Sequence, residues 1–513
     1  MHAFLVVAAG ILPPTVDIPS LGTIVGTTSD LYPGVDRFFN IPFAKPPRGE
    51  LRWKSPVPHG PFSTTPLNGT MPGNVCVQPA IMFARLDPSD GWTRKYLDGL
   101  RMDEDCLTLN IATPARKTIA VESSPLPVMV WFHGGGYSVG SGANYRNDAL
   151  VHASNHRVLV VTINYRLNIF GFLGSTELLA EATGATKPTR RGTGNYGLED
   201  QRLALRWVQD HIHAFGGAPN AVTIFGESAG GNSVISHLVM PRSYLELDGG
   251  AEADPLYARA IIQSGTYAAA MPLRQAESIY RTVLASTGCA DAACLRGRST
   301  MAVAAAWPGP TGPVIDGVEM PGDPYVQLDA GRFNTNASVI IGHNREEMVM
   351  SLVRTHPSSF SEIDFEMAVR YVAPRLDASA MAQVKALYTG AVWAPYYPRR
   401  RGNQTLWWWA AAAAISDKEM GLGHCAVRRV ARQLSRGGSP AVYMYLFAHP
   451  PIRDDTDGTY GWIFGPQFFE PGNMVSVALH PRHAKTGCGV GCRVCGMGER
   501  VRARHAQPSP LTR

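Results

Sequence analysis

The stretch FGESAGG at Phe225–Gly231 decides the fold, because it joins a buried strand to a helix through a tight turn. The apolar run Ala221–Phe225 precedes it, and a helical pattern follows it. The order G-x-S-x-G is typical of a strained strand-to-helix turn that exposes the serine hydroxyl. The helix after such a turn points its N-terminal amides to the same place. Ser228 is therefore the candidate nucleophile; a glycine-rich turn without a catalytic role is the alternative.

A second glycine-rich segment, HGGGY at His133–Tyr137, follows the apolar run Pro127–Phe132. Glycines let backbone amides come close to the negative oxygen that forms when a serine attacks a carbonyl. We predict that the amides of Gly135, Gly136 and Ala229 form this oxyanion hole. The alternative is a flexible glycine loop, but the two motifs occur together in the chain order that the catalytic interpretation requires.

Further apolar runs outline a sheet that is buried on both faces. Val158–Tyr165 is a continuous apolar strand, and the amphipathic pattern of Leu198–Phe215 predicts a helix that ends at Gly216-Gly217. Strands that alternate with helices through glycine-rich joints predict an α/β fold with a doubly wound, mostly parallel sheet and helices on both faces. The mostly helical region between Thr282 and Met420 predicts a cap. Shorter strands are predicted at Leu21–Thr27, Asp36–Ala44, Ala260–Gln263, Val339–Gly342 and Val442–Phe447.

These motifs resemble the type-B carboxylesterase family, which includes cholinesterases, fungal lipases and bacterial ester hydrolases. The resemblance covers residues 20–450 and implies an α/β-hydrolase fold and hydrolysis of small-molecule or lipid esters through an acyl-enzyme on Ser228. The resemblance implies two disulfides, Cys76–Cys106 and Cys289–Cys294, and it implies no cofactor or metal. The matching segments are Glu104–Asn110, Trp131–Tyr137, Asn164–Gly171, Asn195–Val208, Phe225–Gly231, Gln263-Ser264-Gly265 and Ile315-Asp316-Gly317.

The resemblance also implies an acid partner for the nucleophile. Glu347 matches the family pattern G-x-N-x-x-E, although Met348 stands where the family has glycine. A carboxylate is needed to hold a catalytic imidazole in one tautomer and to stabilise its cation. Glu347 is the predicted triad acid, Glu346 is the alternative, and a solvated surface acid is the non-catalytic interpretation.

The histidine stands where the chain departs from the family. The expected His-Gly-x-Glu is absent; His480 is the predicted general base, His483 is its alternative, and loss of the base is the third interpretation. Residues 481–513 are rich in Gly, Arg and Cys without any periodicity, which predicts a disordered segment. We interpret this segment as non-native sequence, such as a translated intron of a fungal gene, and place the hydrolase domain at residues 18–480.

Composition and charge narrow the partners and the location. Residues 481–513 hold seven basic residues and one acid, which accounts for the whole net charge of +6, so no nucleic-acid interface is predicted. No apolar run reaches the ~18 residues of a membrane span. Cys488, Cys492 and Cys495 lack a fourth ligand at zinc-finger spacing, so no metal is predicted.

The apolar start predicts a signal peptide at residues 1–17, with a ragged N-terminal strand or a wrongly chosen start codon as alternatives. With the cysteines and the sequons at Asn68, Asn336 and Asn403, it predicts a secreted glycoprotein. The rival function is a non-catalytic binding or adhesion domain, or an inactive truncated product, because a fold does not settle function. The oligomeric state is not predicted.

Overall fold

The computed structural model describes residues 12–78, 101–115, 124–183, 192–241, 255–266, 270–344, 347, 360–373, 376–390, 406–416 and 423–447. These residues fall into two compact units. The first contains the described residues up to Glu347 together with 423–447, and the second contains the described residues from 360 to 416.

The strands and helices alternate along much of the chain, as the apolar pattern predicts. The strands are β1 (Thr15–Ile18), β2 (Gly22–Val25), β3 (Thr27–Thr28), β4 (Val35–Pro42), β5 (Leu67–Asn68), β6 (Thr108–Pro114), β7 (Leu126–Phe132), β8 (Leu159–Ile163), β9 (Gly217–Glu227), β10 (Arg259–Gln263), β11 (Met271–Pro272), β12 (Val314–Ile315), β13 (Ser338–Asn344) and β14 (Val442–Phe447). The helices are α1 (Asn147–Ala153), α2 (Asn168–Phe172), α3 (Thr176–Thr183), α4 (Tyr196–His211), α5 (Ala229–Val239), α6 (Leu273–Thr287), α7 (Ala292–Arg296), α8 (Thr300–Ala305), α9 (Pro324–Asp329), α10 (Glu362–Val372), α11 (Ala378–Thr389), α12 (Leu406–Ser416) and α13 (His424–Arg436). Short 3-10 turns occur at Gly49–Leu51, Gly142–Asn144 and Ile212–Phe215.

A nine-stranded sheet in the order β14-β13-β10-β9-β7-β8-β6-β4-β3 forms the centre of the first unit. The pairings from β14 to β8 are parallel, and those from β8 to β3 are antiparallel. Every residue of β8 is buried, as expected for a strand with both faces covered. The predicted mostly parallel α/β sheet is therefore confirmed.

Three local features differ from the sequence prediction. The predicted helix Leu198–Phe215 is α4 followed by the 3-10 turn Ile212–Phe215, which ends at Gly216 in the left-handed region (φ 87°). The strand predicted at Ala221–Phe225 extends over the whole of β9. Strand β6 lies between β4 and β8 with all its residues buried, although no strand was predicted there.

The second unit consists of α10, α11 and α12. Its core contains Phe365, Met381, Tyr388 and Trp408, all at most 2% exposed. The helical character predicted for this part of the chain agrees with these elements, whereas its role as a cap stays a prediction. The predicted domain bounds, including the segments 1–17 and 481–513, also stay predictions.

The sheet brings the predicted motifs to one edge. The last residues of β7, β9 and β10 lie beside one another, because Phe132 pairs with Gly226 and Gln263 pairs with Glu227. Strand β13 continues this edge, since its Gly342 pairs with Gln263. The carboxyl ends of parallel strands are the common place for a binding site in such folds.

Candidate active site

Ser228 lies in a sharp turn between β9 and α5. Its backbone has φ 55° and ψ −119°, a conformation that a residue with a side chain rarely adopts. The N–H of Ser228 donates to the carbonyl of Gln263 at 2.9 Å, which ties the turn to the end of β10. Strain of this kind persists only where the surroundings enforce it, and it is concentrated at functional sites.

The glycines on either side of Ser228 are required by close backbone packing. A Cβ atom on Gly226 would lie 2.5 Å from the carbonyl carbon of Gly230. A Cβ atom on Gly230 would lie 2.0 Å from the carbonyl oxygen of Phe132. Since those neighbours are backbone atoms, a side chain at either position would force the start of α5 away from the ends of β9 and β7.

The loop after β7 approaches the same turn. A Cβ atom on Gly134 would lie 3.3 Å from Cβ of Ser228 and 2.7 Å from Oε2 of Glu227. The next two glycines have positive φ, 108° at Gly135 and 62° at Gly136. The structure therefore brings the glycine loop, Ser228 and Ala229, the first residue of α5, to one place.

Glu347 lies beyond the end of β13 and is partly buried. Its Oε2 atom accepts a hydrogen bond from the hydroxyl of Ser264 at 3.0 Å and from the N–H of Asn344 at 2.6 Å. Ser264 follows Gln263 directly and itself has a positive φ of 46°. The dipeptide 263–264 therefore links the two predicted catalytic residues, through its carbonyl to Ser228 and through its hydroxyl to Glu347.

Ser264 is the site residue that sequence reasoning missed. The segment Gln263-Ser264-Gly265 was recognised only as part of the family resemblance. Its hydroxyl is 83 positions from Glu347 along the chain, so no local pattern could show the contact.

Two acidic side chains share this edge. Burial and, to a lesser extent, the nearby Glu347 carboxylate raise the pKa of Glu227 to about 8. Burial also raises the pKa of Glu347, whereas the hydrogen bonds from Asn344 and Ser264 and the charge of His424 lower it. Because burial disfavours the charged form, Glu227 holds its proton to a higher pH than an exposed glutamate does.

Two other histidines stack beside the acid. The rings of His343 and His424 lie 4.1 Å apart at 18°, and Nε2 of His424 donates to the Asn344 carbonyl at 3.0 Å.

In the glycine loop, burial lowers the pKa of His133 to about 4, with a partly opposing hydrogen bond to Gly134. The buried ring of His133 therefore favours the neutral form, and it stacks on the ring of Tyr165 at 4.2 Å.

The remaining predicted site residues are described in part. The structure has disulfides Cys76–Cys106 and Cys289–Cys294, the two pairs that the resemblance implied. The other predicted residues and their alternatives lie outside the described residues. They are Glu346, His480, His483, Cys488, Cys492 and Cys495.

The described ranges hold no candidate metal site and no helix that could span a membrane. There, no group of three or more His, Cys, Asp or Glu side chains lies close enough together to hold a metal ion. None of the described helices combines the length and the apolar character needed to cross a membrane.

The parallel sheet, the strained serine turn and the glycine loop at the strand ends define an α/β-hydrolase fold. Residues 13–473 match the family model described as "Carboxylesterase family". The chain belongs to the carboxylesterase family.

Individual relatives are similar over shorter segments. Lipase 5 of Diutina rugosa is 34% identical over 376 residues, covering 67% of this chain and 64% of that protein. Acylcarnitine hydrolase of Mus musculus is 37% identical over 338 residues, covering 63% and 54%. Acetylcholinesterase of Electrophorus electricus is 32% identical over 407 residues, covering 72% and 58%. The matched part of this chain thus spans less than two thirds of each relative's own length.

Proposed function

We propose that this protein is a serine hydrolase that cleaves carboxylic esters through an acyl-enzyme on Ser228. The observation that carries the proposal is the backbone of Ser228, held at φ 55° and ψ −119° beside the glycine loop. Membership of a family whose relatives include lipases and an acylcarnitine hydrolase supports the same reaction.

In the first step, Ser228 Oγ attacks the ester carbonyl carbon while the general base takes its proton. The carbonyl oxygen becomes negative and is held by the amides of Gly135, Gly136 and Ala229, and one such donor is typically worth about 10²–10³ in rate. The tetrahedral intermediate then collapses, and the alcohol leaves with the proton from the base. Water hydrolyses the acyl-enzyme by the same steps and regenerates the serine.

We assign the general base to His480 on the sequence, with His483 as the alternative, and the acid to Glu347. The acid holds the imidazole in one tautomer and stabilises the imidazolium that forms. The hydrogen bonds from Ser264 and Asn344 support this role, because both favour the ionised carboxylate.

The direct test is hydrolysis of p-nitrophenyl esters with a short and a long acyl chain by the full chain and by Ser228→Ala. We expect turnover in the wild type and a loss of about 10⁴-fold or more in the variant, as for removal of other serine nucleophiles. Ser154→Ala is the matched control, because this half-buried serine lies at the end of α1, outside the candidate site, and its hydroxyl donates to the carbonyl of Val151. The two esters also report the preference for acyl-chain length.

The alternatives give different results in the same assay. Turnover that survives Ser228→Ala would contradict the assignment of the nucleophile. Soluble, folded wild-type protein without turnover would favour a non-catalytic binding domain or an inactive product. His480→Ala and His483→Ala, assayed together, assign the base.

We also propose that the protein is secreted and carries a glycan at Asn68. Two disulfides fit an oxidising compartment. The side chain of Asn68 is exposed, and its Oδ1 accepts hydrogen bonds from the N–H and the hydroxyl of Thr70, the third residue of the sequon. Expression in a secretory eukaryotic host should give a glycopeptide at Asn68 that Thr70→Ala removes, and an unmodified wild-type peptide would contradict the proposal.

A further inference from the structure

Gln78, a buried glutamine outside the predicted triad, forms hydrogen bonds to Gly140 in the loop that follows β7. The Oε1 atom of Gln78 accepts from the N–H of Gly140 at 2.8 Å, and its Nε2 donates to the Gly140 carbonyl at 2.9 Å. Gln78 is only 7% exposed. One side chain therefore satisfies both backbone groups of a single glycine, which fixes that residue in position and orientation.

The same glutamine connects the loop to the disulfide Cys76–Cys106. Nε2 of Gln78 also donates to the Cys76 carbonyl at 2.9 Å. On the other half of the disulfide, Nδ2 of Asn164 donates to the Cys106 carbonyl at 3.1 Å. Two amide side chains thus anchor the loop to one covalent cross-link.

Asn164 completes this anchor from its other side. Its Oδ1 accepts from the N–H of Gly142 at 2.9 Å and from the hydroxyl of Ser141 at 3.1 Å. Gln78 and Asn164 therefore hold three consecutive loop residues, 140 to 142, against the disulfide.

Direct contacts connect Gly140 to the residues of the predicted oxyanion hole. A Cβ atom on Gly140 would lie 2.4 Å from Nδ1 of His133 and 2.8 Å from the carbonyl of Gly134, so this part of the loop folds tightly back on its start. The N–H of Val139, the residue before Gly140, donates to the carbonyl of Gly135 at 3.1 Å. A shift of Gly140 would consequently move the peptide units that carry the amides of Gly135 and Gly136.

We propose that Gln78 is a positioning residue for the oxyanion hole, acting through Gly140 from the anchor that the Cys76–Cys106 disulfide provides. The inference rests on the proposed function for its catalytic consequence, since Gln78 acts on the loop and not on the substrate. Its buried amide replaces water as the partner of Gly140, and catalysis by an oxyanion hole depends on donors that are fixed before the reaction begins.

The test compares Gln78→Met with Gln209→Met in the full chain. Methionine keeps nearly the volume of glutamine but removes its hydrogen bonds. Gln209 is the matched control, because its Nε2 also bridges two backbone carbonyls, those of Pro219 and Leu256, and it lies on α4 outside the glycine loop. Gln78→Glu is the conservative variant, since its carboxylate can still accept from the Gly140 N–H.

Two readouts are measured, the kinetics of ester hydrolysis and the amide hydrogen exchange of peptides covering residues 133–142. Loss of a whole oxyanion donor costs about 10²–10³ in rate, so a displaced donor in Gln78→Met should lower kcat at least about tenfold with little change in KM. Exchange in the loop should rise in Gln78→Met, less in Gln78→Glu, and not at all in Gln209→Met.

Equal kcat and equal loop exchange in Gln78→Met and Gln209→Met would overturn the proposal. If Gln78→Met does not fold, Gln78→Ala and Gln209→Ala take the place of the two methionine variants, and equal kcat and equal loop exchange in them would overturn the proposal as well. A wild type without turnover dependent on Ser228 would refute the proposed function alone, because the exchange measurement still decides whether Gln78 holds the loop.

Discussion

The two predicted catalytic residues described by the structure are held in different ways. The turn at Ser228 is fixed by backbone against backbone, with Gly226 and Gly230 packed where a single carbon would collide. Glu347 is fixed by hydrogen bonds that end on its own carboxylate, from Ser264 and Asn344. The position of Ser228 therefore depends on close packing of the backbone, whereas that of Glu347 depends on its hydrogen-bond donors.

This difference predicts how each site fails. A change in the serine turn must move strand ends, so it affects the stability of the whole sheet. A change around Glu347 leaves the sheet intact and affects the ionisation and orientation of one carboxylate. Substitutions at Gly230, Ser264 and Gly136 separate these two kinds of effect.

The largest effect is expected from Gly230→Ala. Its Cβ would lie 2.0 Å from the carbonyl oxygen of Phe132, and backbone on both sides cannot yield without separating β7 from α5. Overpacking of a core typically costs about 1–3 kcal/mol, and more where backbone must move. We expect loss of soluble protein or a fall of more than about 3 kcal/mol in the free energy of unfolding, measured by urea denaturation. A variant as stable as the wild type would show that the turn is not fixed by space.

The same contrast explains what the sequence could predict. The glycines of the serine turn and of the loop His133–Tyr137 are visible in the sequence, because close backbone approach excludes a side chain at most of them and a positive φ disfavours one at Gly136. The buried strands β7, β8 and β9 are visible because both their faces need apolar residues. Strand β6 was missed, since its segment TLNIATP mixes polar and apolar residues although all of them are buried.

Contacts between distant side chains could not be predicted. The hydrogen bond from Ser264 to Glu347 joins residues 83 positions apart, and the hydrogen bonds between Gln78 and Gly140 join residues 62 positions apart. Serine and glutamine are both common residues, so neither one stands out in the sequence. The sequence also did not predict where α4 changes into the 3-10 turn Ile212–Phe215. The apolar periodicity continues through that turn to Phe215, and Gly216 marks the end of the turn, not the end of α4.

An intermediate effect, on activity more than on stability, is expected from Ser264→Ala. A hydrogen bond to a charged group is typically worth about 1.5–3 kcal/mol. Loss of about 1.4 kcal/mol of transition-state stabilisation lowers the rate tenfold, so we expect kcat/KM to fall at least about tenfold. The control Ser154→Ala removes a hydroxyl that bonds to the carbonyl of Val151 at the end of α1, and it should leave the rate unchanged.

The pH profile of Ser264→Ala identifies the cause. The Ser264 hydroxyl donates to the carboxylate, so it favours the ionised form and lowers the pKa of Glu347 against the effect of burial. Without this hydrogen bond the pKa of Glu347 rises. As the pH falls, activity, which needs the ionised carboxylate, should therefore be lost at a higher pH than in the wild type. An acidic limb of kcat/KM at the wild-type position would show that Glu347 is not the acid that matters.

The smallest effect is expected from Gly136→Ala, which tests whether space or backbone angle makes a glycine necessary. Gly136 has φ 62°, but no atom of the described residues lies within 4 Å of the position that its Cβ would take. A side chain in the left-handed region costs roughly 1–2 kcal/mol, and alanine keeps the amide that the proposed oxyanion hole requires. We expect the free energy of unfolding to fall by about that amount, with turnover still measurable. A loss of folding as large as in Gly230→Ala would mean that backbone angle, and not the collision of atoms, decides where this fold needs glycine.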